Sequence, residues 1–343
     1  MDGDEPAFDK HRSAIGLLDC TISLARGVMR AVMLALLLAV GMQDARSQSC
    51  SISNSIGSYG TIDILNGGTI DATSTFSINC TGTANQTVRL CVELSPGQTN
   101  AAGNRRLAAG SERLVHELYS DPSRTTIWGS WGLATTSYGL YPAGTTFDLG
   151  LGSSGSASAT LTAYGRVLSN QTTTGPGSFA WTMSTAPATE YDYKTAATCP
   201  TGTRQTTSSG SSWTATINPN CAVSASSVNF GSVGVLASNT DATGSVTVRC
   251  TNTTPYTIGL SAGTGSGATV ANRKMTSGVK TVMYSLYSDS ARTAIWGNTI
   301  GTDSSAGTGT GLDQIYSVYA RAPAQTTPAP GTYSDTIVVT VTY

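Results

Sequence analysis

A chain of 343 residues with 19 basic and 20 acidic side chains has a formal charge of −1, so it lacks the basic footprint that nucleic-acid binding requires. Only 11% of its residues are charged and 38 are glycine. With Ser, Thr, Val and Tyr recurring in short alternating runs, that composition predicts an all-β protein.

Residues 1–47 read as a targeting region. Arg26 and Arg30 precede the apolar run Ala31–Val40, and Ala45-Arg46-Ser47 stands before Gln48. A basic segment, a short apolar segment and a small-residue cleavage site together predict export. The run is too short for a membrane span, which takes about 20 apolar residues. Met29 or an earlier Met could serve as the start.

Six cysteines follow: Cys50, Cys80, Cys91, Cys199, Cys221 and Cys250. Sequence alone allows 15 pairings. A repeat narrows the choice, because Cys50 to Cys80 spans 30 residues and Cys221 to Cys250 spans 29 at matching places in two copies. The expected pairs are Cys50–Cys80 and Cys221–Cys250, with Cys91–Cys199 by elimination. Metal ligation is a poor alternative, since no C-x-x-C occurs and His116 is the one histidine after residue 47.

The repeat covers the rest of the chain. "SYGTIDILNGGTIDATSTFSINC" in the first copy matches "NFGSVGVLASNTDATGSVTVRC" in the second. "LYSDPSRTTIWG" (118–129) recurs as "LYSDSARTAIWG" (286–297), with nine of twelve positions identical and an offset of 168 residues. Repeats of about 20–50 residues mark solenoids, so this longer period predicts two copies of a whole domain. Within the block, Leu114–Tyr119 and Val282–Tyr287 are expected strands, Ser-Asp is turn chemistry, and the Trp is expected to pack in or at the rim of the core in both copies, with stacking on a carbohydrate as the alternative.

The copies differ after Trp128. From there to Tyr164 is 36 residues, against 23 from Trp296 to Tyr319. The surplus, "SWGLATTSYGLYPAG", contains Trp131, Leu133, Tyr138, Leu140 and Tyr141, which have no counterparts in the second copy. Loops carry function more often than scaffolds do, so these five are the candidate surface-binding residues; the alternative is that the insertion folds back over the first core. Trp181 is a weaker candidate, since its strand aligns with the terminal strand of the second copy. No nucleophile elbow, paired catalytic carboxylates, phosphate loop or metal cluster is recognisable, and neither an enzyme nor a cofactor is expected.

The Cys-x-[Ile/Val]-Ser start of each copy, the "LYSD…RT.IWG" block and the ending Pro330–Tyr343 resemble the spore coat protein U domain family. The likeness spans nearly all of residues 48–343, in two copies. It implies two tandem immunoglobulin-like, pilin-like β-sandwiches: 48–200, then 201–220 as linker or internal donor strand, then 221–343. Many members look like subunits of archaic, Csu-type chaperone–usher pili, whose sandwich lacks its last strand and is completed by one donated from outside, a form of β-augmentation.

The resemblance implies as partners a periplasmic pilus chaperone, an outer-membrane usher and a neighbouring pilin that donates a strand. Docking is expected along "TIVVTVTY" (336–343), whose Ile337, Val339, Val341 and Tyr343 share one face. Two residues, Gln48 and Ser49, precede Cys50, too few for a donor strand. The expectation is therefore an acceptor at the pilus tip, at the cell surface, attaching to an abiotic or host surface and supporting biofilm formation. A non-adhesive coat, envelope or pilin subunit and a carbohydrate-binding module are the alternatives. Trp213, Ala215 and Ile217 alternate ahead of Cys221 and are expected to complete the first sandwich in cis. "TEYDYK" (189–194) competes as its final strand, and "GTRQTTSSGSS" (202–212) has the composition of a linker.

Overall fold

A computed structural model of the chain describes residues 47–53, 56–94, 104–129, 144–182, 189–195, 199, 203–206 and 212–343. The targeting region up to residue 46 and the insertion carrying Trp131, Leu133, Tyr138, Leu140 and Tyr141 lie outside the described residues.

The described chain is all-β. The first copy contributes β1 (Ser49–Ile52), β2 (Ile56–Ile62), β3 (Ile70–Thr81), β4 (Thr87–Leu94), β5 (Arg105–Ala109), β6 (Glu112–Tyr119), β7 (Thr145–Gly150), β8 (Ser156–Val167), β9 (Gly177–Thr182), β10 (Thr189–Thr195), β11 (Thr203–Thr206) and β12 (Ser212–Ile217). The second contributes β13 (Cys221–Ala225), β14 (Thr240–Cys250), β15 (Pro255–Leu260), β16 (Arg273–Ser277), β17 (Lys280–Tyr287), β18 (Ser305–Thr308), β19 (Gln314–Ala322) and β20 (Val339–Thr342).

Each copy folds as two sheets around its own core. The first pairs the sheet β1-β3-β8-β6-β5-β9-β12-β2 with β11-β10-β4-β7; the second pairs β13-β14-β19-β17-β16 with β18-β15-β20. Alternation sets which side chains enter the core: Phe76, Ile78 and Cys80 point inward along β3, and Val246, Val248 and Cys250 do so along β14. Disulfides join Cys50 to Cys80, Cys221 to Cys250 and Cys91 to Cys199.

The repeated block is scaffold, held by one set of bonds in both copies. Trp128 and Trp296 are each 1% exposed. Their Nε1 groups donate to Val92 O at 2.9 Å and Ile258 O at 3.0 Å. A buried arginine clamps the same corner. Arg105 Nη2 donates to the carbonyls of Leu94 and Trp128, and Arg273 Nη2 to those of Leu260 and Trp296. Arg105 also pairs with buried Glu117. The turn aspartates accept from the backbone, Asp121 from Thr125 and Thr126, and Asp289 from Thr293 and Ala294. The hydroxyl bond from Ser123 first, with those backbone bonds, holds the Asp121 carboxyl below the usual carboxylate range, and the Ala294 bond does most for Asp289.

The segment ahead of Cys221 belongs to the first sandwich. β12 lies between β9, to which it is antiparallel, and β2, to which it is parallel. Trp213, Ala215 and Ile217 are buried in the first core. Gly57 and Gly165 make room for the indole of Trp213, since a Cβ on either would overlap the ring. The linker-like stretch also contains β11, antiparallel to β10.

Two alignments need correction. "TEYDYK" is the counterpart of the second copy's terminal strand: Thr189 pairs with Leu94 as Val339 pairs with Leu260. Trp181 instead corresponds to Asp335, because Ala180 bridges Ala108 as Ser334 bridges Thr276. The terminal strand itself begins at Val339 rather than Thr336, since Val338 N–H is taken by the Ser261 hydroxyl.

The expected effect of Trp213→Ala is a loss of about 3–5 kcal/mol, the usual cost of emptying a buried aromatic site. Denaturant unfolding should show the loss in the first domain's transition, with the second domain's midpoint unchanged.

Candidate functional site

Among the described residues, the second sandwich has no segment corresponding to β11 or β12, and the counterparts of β2 and β9 are not strands; a groove runs where β12 would lie. Its floor is Val246, Leu286 and Val318; its walls are Val228 and Phe230 on one side and Tyr333 to Ile337 with Val339 on the other. This part encloses about 420 Å³. It continues past Val228, Phe230, Met275 and Tyr333 into a second section of about 660 Å³ bounded by Gly231–Gly234 and Thr327–Thr332. Among the described residues, nothing fills either section.

The backbone along the groove differs accordingly. In the first sandwich, Ile56–Ile62 and Gly177–Thr182 are strands because β12 pairs with both. Their counterparts around Val228–Val233 and Gly331–Thr336 are not strands. Ser334 exchanges both backbone bonds with Thr276. By strand alternation, the N–H groups of Tyr333 and Asp335 therefore face the groove. β20 is likewise an edge, paired through β15 alone, whereas its counterpart β10 has β11 on its other side. An edge with open donors and acceptors beside an apolar slot is the geometry that takes up another strand.

The expected docking residues divide along this groove. Ile337 and Val339 line it, half-buried. Val341 packs on the core farther along, and Tyr343 is 55% exposed, with its hydroxyl 3.5 Å from Asn220 Oδ1. Sequence reasoning missed the polar wall. Asp335 accepts from Tyr284 Oη at 2.7 Å, from Thr264 N at 2.7 Å and from Thr264 Oγ1 at 2.9 Å. Burial first, then the bond to Asp335, raises the Tyr284 phenol above its usual range. In the first sandwich the same two positions are Trp181 and His116, and burial together with Arg105 pushes His116 well below its ordinary value. Comparing the copies at position 181 would have revealed the substitution, had Trp181 not been aligned with the terminal strand.

The surface-binding candidates are not described, but their anchors are. Gly129 O accepts from Leu94 N, and Thr145 pairs with Val92. Both anchors lie at the Leu94 end of β4. β12 starts beside Thr182 and leaves at Ile217, beside Gly177, toward Cys221. The insertion therefore departs from the end of the first sandwich opposite its junction with the second. No group of three or more potential metal ligands occurs among the described residues.

Since the folded state keeps Tyr284 neutral, its contribution is full below pH 10 and is lost as pH rises and the unfolded chain ionises. Tyr284→Phe should cost about 1 kcal/mol at neutral pH and partly flatten the alkaline arm of the second domain's stability profile, measured by urea titration. An unchanged profile would contradict this assignment.

Among curated proteins, the chain is 39% identical over 107 residues to Protein U of Myxococcus xanthus, covering 29% of this chain and 59% of that protein. It thus spans less than two thirds of that relative's length. Among solved structures it is similar to the chaperone–tip adhesion subunit pre-assembly complex of archaic Csu pili from Acinetobacter baumannii, with 20% identity, a TM-score of 0.48, and 86% of this chain and 100% of that one covered. It is also similar to the CupB6 tip adhesin of Pseudomonas aeruginosa, with 12% identity, a TM-score of 0.35, and 85% and 93% covered. The Spore Coat Protein U domain matches twice, over residues 36–185 and 205–340, once in each copy of the repeat, and the chain belongs to the spore coat protein U domain family.

Proposed function

We propose that this protein is the tip adhesin subunit of a chaperone–usher pilus. Its second sandwich accepts a strand, first from a periplasmic chaperone and then, at the outer-membrane usher, from the neighbouring pilin. Its first sandwich presents apolar and aromatic loops to an abiotic or host surface, which supports biofilm formation. The protein passes through the periplasm and acts at the cell surface.

The observation that carries this reading is the contrast between two copies of one fold. The first groove is filled by β12, the second by no described residue. The contrast also supports placement at the tip. A repeating pilin needs a free arm ahead of its acceptor domain, and here the segment ahead of Cys221 is buried in the first core. Binding at the far end fits the anchors of the insertion at Gly129 and Thr145. Its aromatic and aliphatic side chains would gain about 25 cal/mol per Å² buried against an apolar surface.

Co-expression with a pilus chaperone should yield a stable one-to-one complex, and strand-disrupting proline at Val339 or Val341 should abolish it. A soluble second domain that never engages the chaperone would overturn strand acceptance. Replacing Trp131, Leu133 and Tyr141 together with serine should reduce attachment of piliated cells to polystyrene at least tenfold without changing the unfolding midpoint. Undiminished attachment would remove the apolar-loop role, and attachment blocked by free sugars would favour the carbohydrate-binding reading.

A further inference from the structure

The two grooves are not interchangeable. In the first, Trp213 sits between Gly57 and Gly165, its ring 5.2 Å from that of Tyr59. Strand register identifies the second copy's equivalents. Gly165 pairs with Leu118, and Ala320 pairs with Leu286, so Ala320 stands where Gly165 does. Its methyl occupies the place that Gly165 leaves open to the indole. Gly57 precedes Tyr59 by two residues as Val228 precedes Phe230, and Val228 lines the groove. The rings themselves keep their places: Tyr59 and His116 lie 5.9 Å apart, and Phe230 and Tyr284 lie 6.0 Å apart. Where Gly57 and Gly165 leave room for the indole, the second copy carries Val228, which lines the groove, and Ala320, which is buried beneath it.

The opposite wall changes in the same sense. Trp213 is the register partner of Trp181, whose counterpart is Asp335. A large aromatic side chain seated beside Asp335 would strip the remaining water from a carboxylate already bonded to Tyr284 and Thr264 and would add no further bond to it. Farther along, Ile217 pairs with Gly177, matched by Gly331 at the wider section of about 660 Å³.

We infer that the second groove selects its donor strand by size: beside Asp335 it takes a side chain no larger than valine or threonine, and it rejects the aromatic that the first groove requires. The partner is a β-strand antiparallel to Tyr333–Thr336 whose alternating apolar residues begin small at Asp335 and are larger near Gly331. The chain's own 203–217 segment is excluded, so one copy cannot complete the second sandwich of another through β12, and subunits of this kind do not chain to themselves. The inference rests on the strand-acceptance reading above.

The test uses the purified protein, refolded from denaturant with a synthetic peptide of residues 203–217 or with its Trp213→Val form. The valine peptide should raise the melting temperature of the second domain and bind at least tenfold more tightly than the tryptophan peptide. In the Val228→Gly/Ala320→Gly protein the preference should shrink or reverse. Equal binding of both peptides to the unaltered protein would overturn the size rule while leaving strand acceptance intact. Binding of neither would overturn strand acceptance itself. The comparison of peptides on unaltered protein decides the matter even where the double glycine variant does not fold.

Discussion

A β-sandwich cannot leave its last strand out at no cost. Between the first strand and the penultimate one, both the hydrophobic core and two rows of backbone groups stay open to water. The first copy closes that opening with β12, which buries Trp213, Ala215 and Ile217 and pairs with β2 and β9 together. Every other feature of functional interest follows from the same requirement in the second copy. The Val228–Val233 and Gly331–Thr336 segments are not strands because nothing pairs between them, and the core residues beneath stay reachable through the groove.

The rest of the fold is built to survive that opening. The most repeated sequence, Leu118–Gly129 and Leu286–Gly297, touches the groove only through Leu286 and fixes one corner of each sandwich. A buried Arg, a buried Trp and a turn Asp do this with the same bonds in both copies. These bonds run largely from side chain to backbone carbonyl or N–H, so they are indifferent to what the facing strand supplies. One corner is hydrogen-bonded in the same way in both copies, and one edge of the second is open.

The two-domain, all-β organisation was legible because it is written twice: paired cysteines at matched spacing, and an identical turn block. The in-cis strand was legible from the alternation of Trp213, Ala215 and Ile217. β11 was not, because threonines between glycines and serines count as linker in composition yet pair well as an edge strand. The polar wall was not, because Asp335 becomes meaningful only once strand register sets it opposite Trp181. Nor could one sequence read in single file show that Gly165 and Ala320 occupy one site. That identity depends on their shared partners, Leu118 and Leu286.

Backbone hydrogen exchange tests the central claim most directly. The amides of Phe179 and Trp181 face β12, and those of Tyr333 and Asp335 face the open groove. In the free protein the first pair should exchange with the protection of the core, and the second pair close to the rate of an unprotected loop. Adding a strand that fits should then slow Tyr333 and Asp335 selectively. Equal protection of both pairs in the free protein would contradict the account, since it would mean that the second sandwich is already closed.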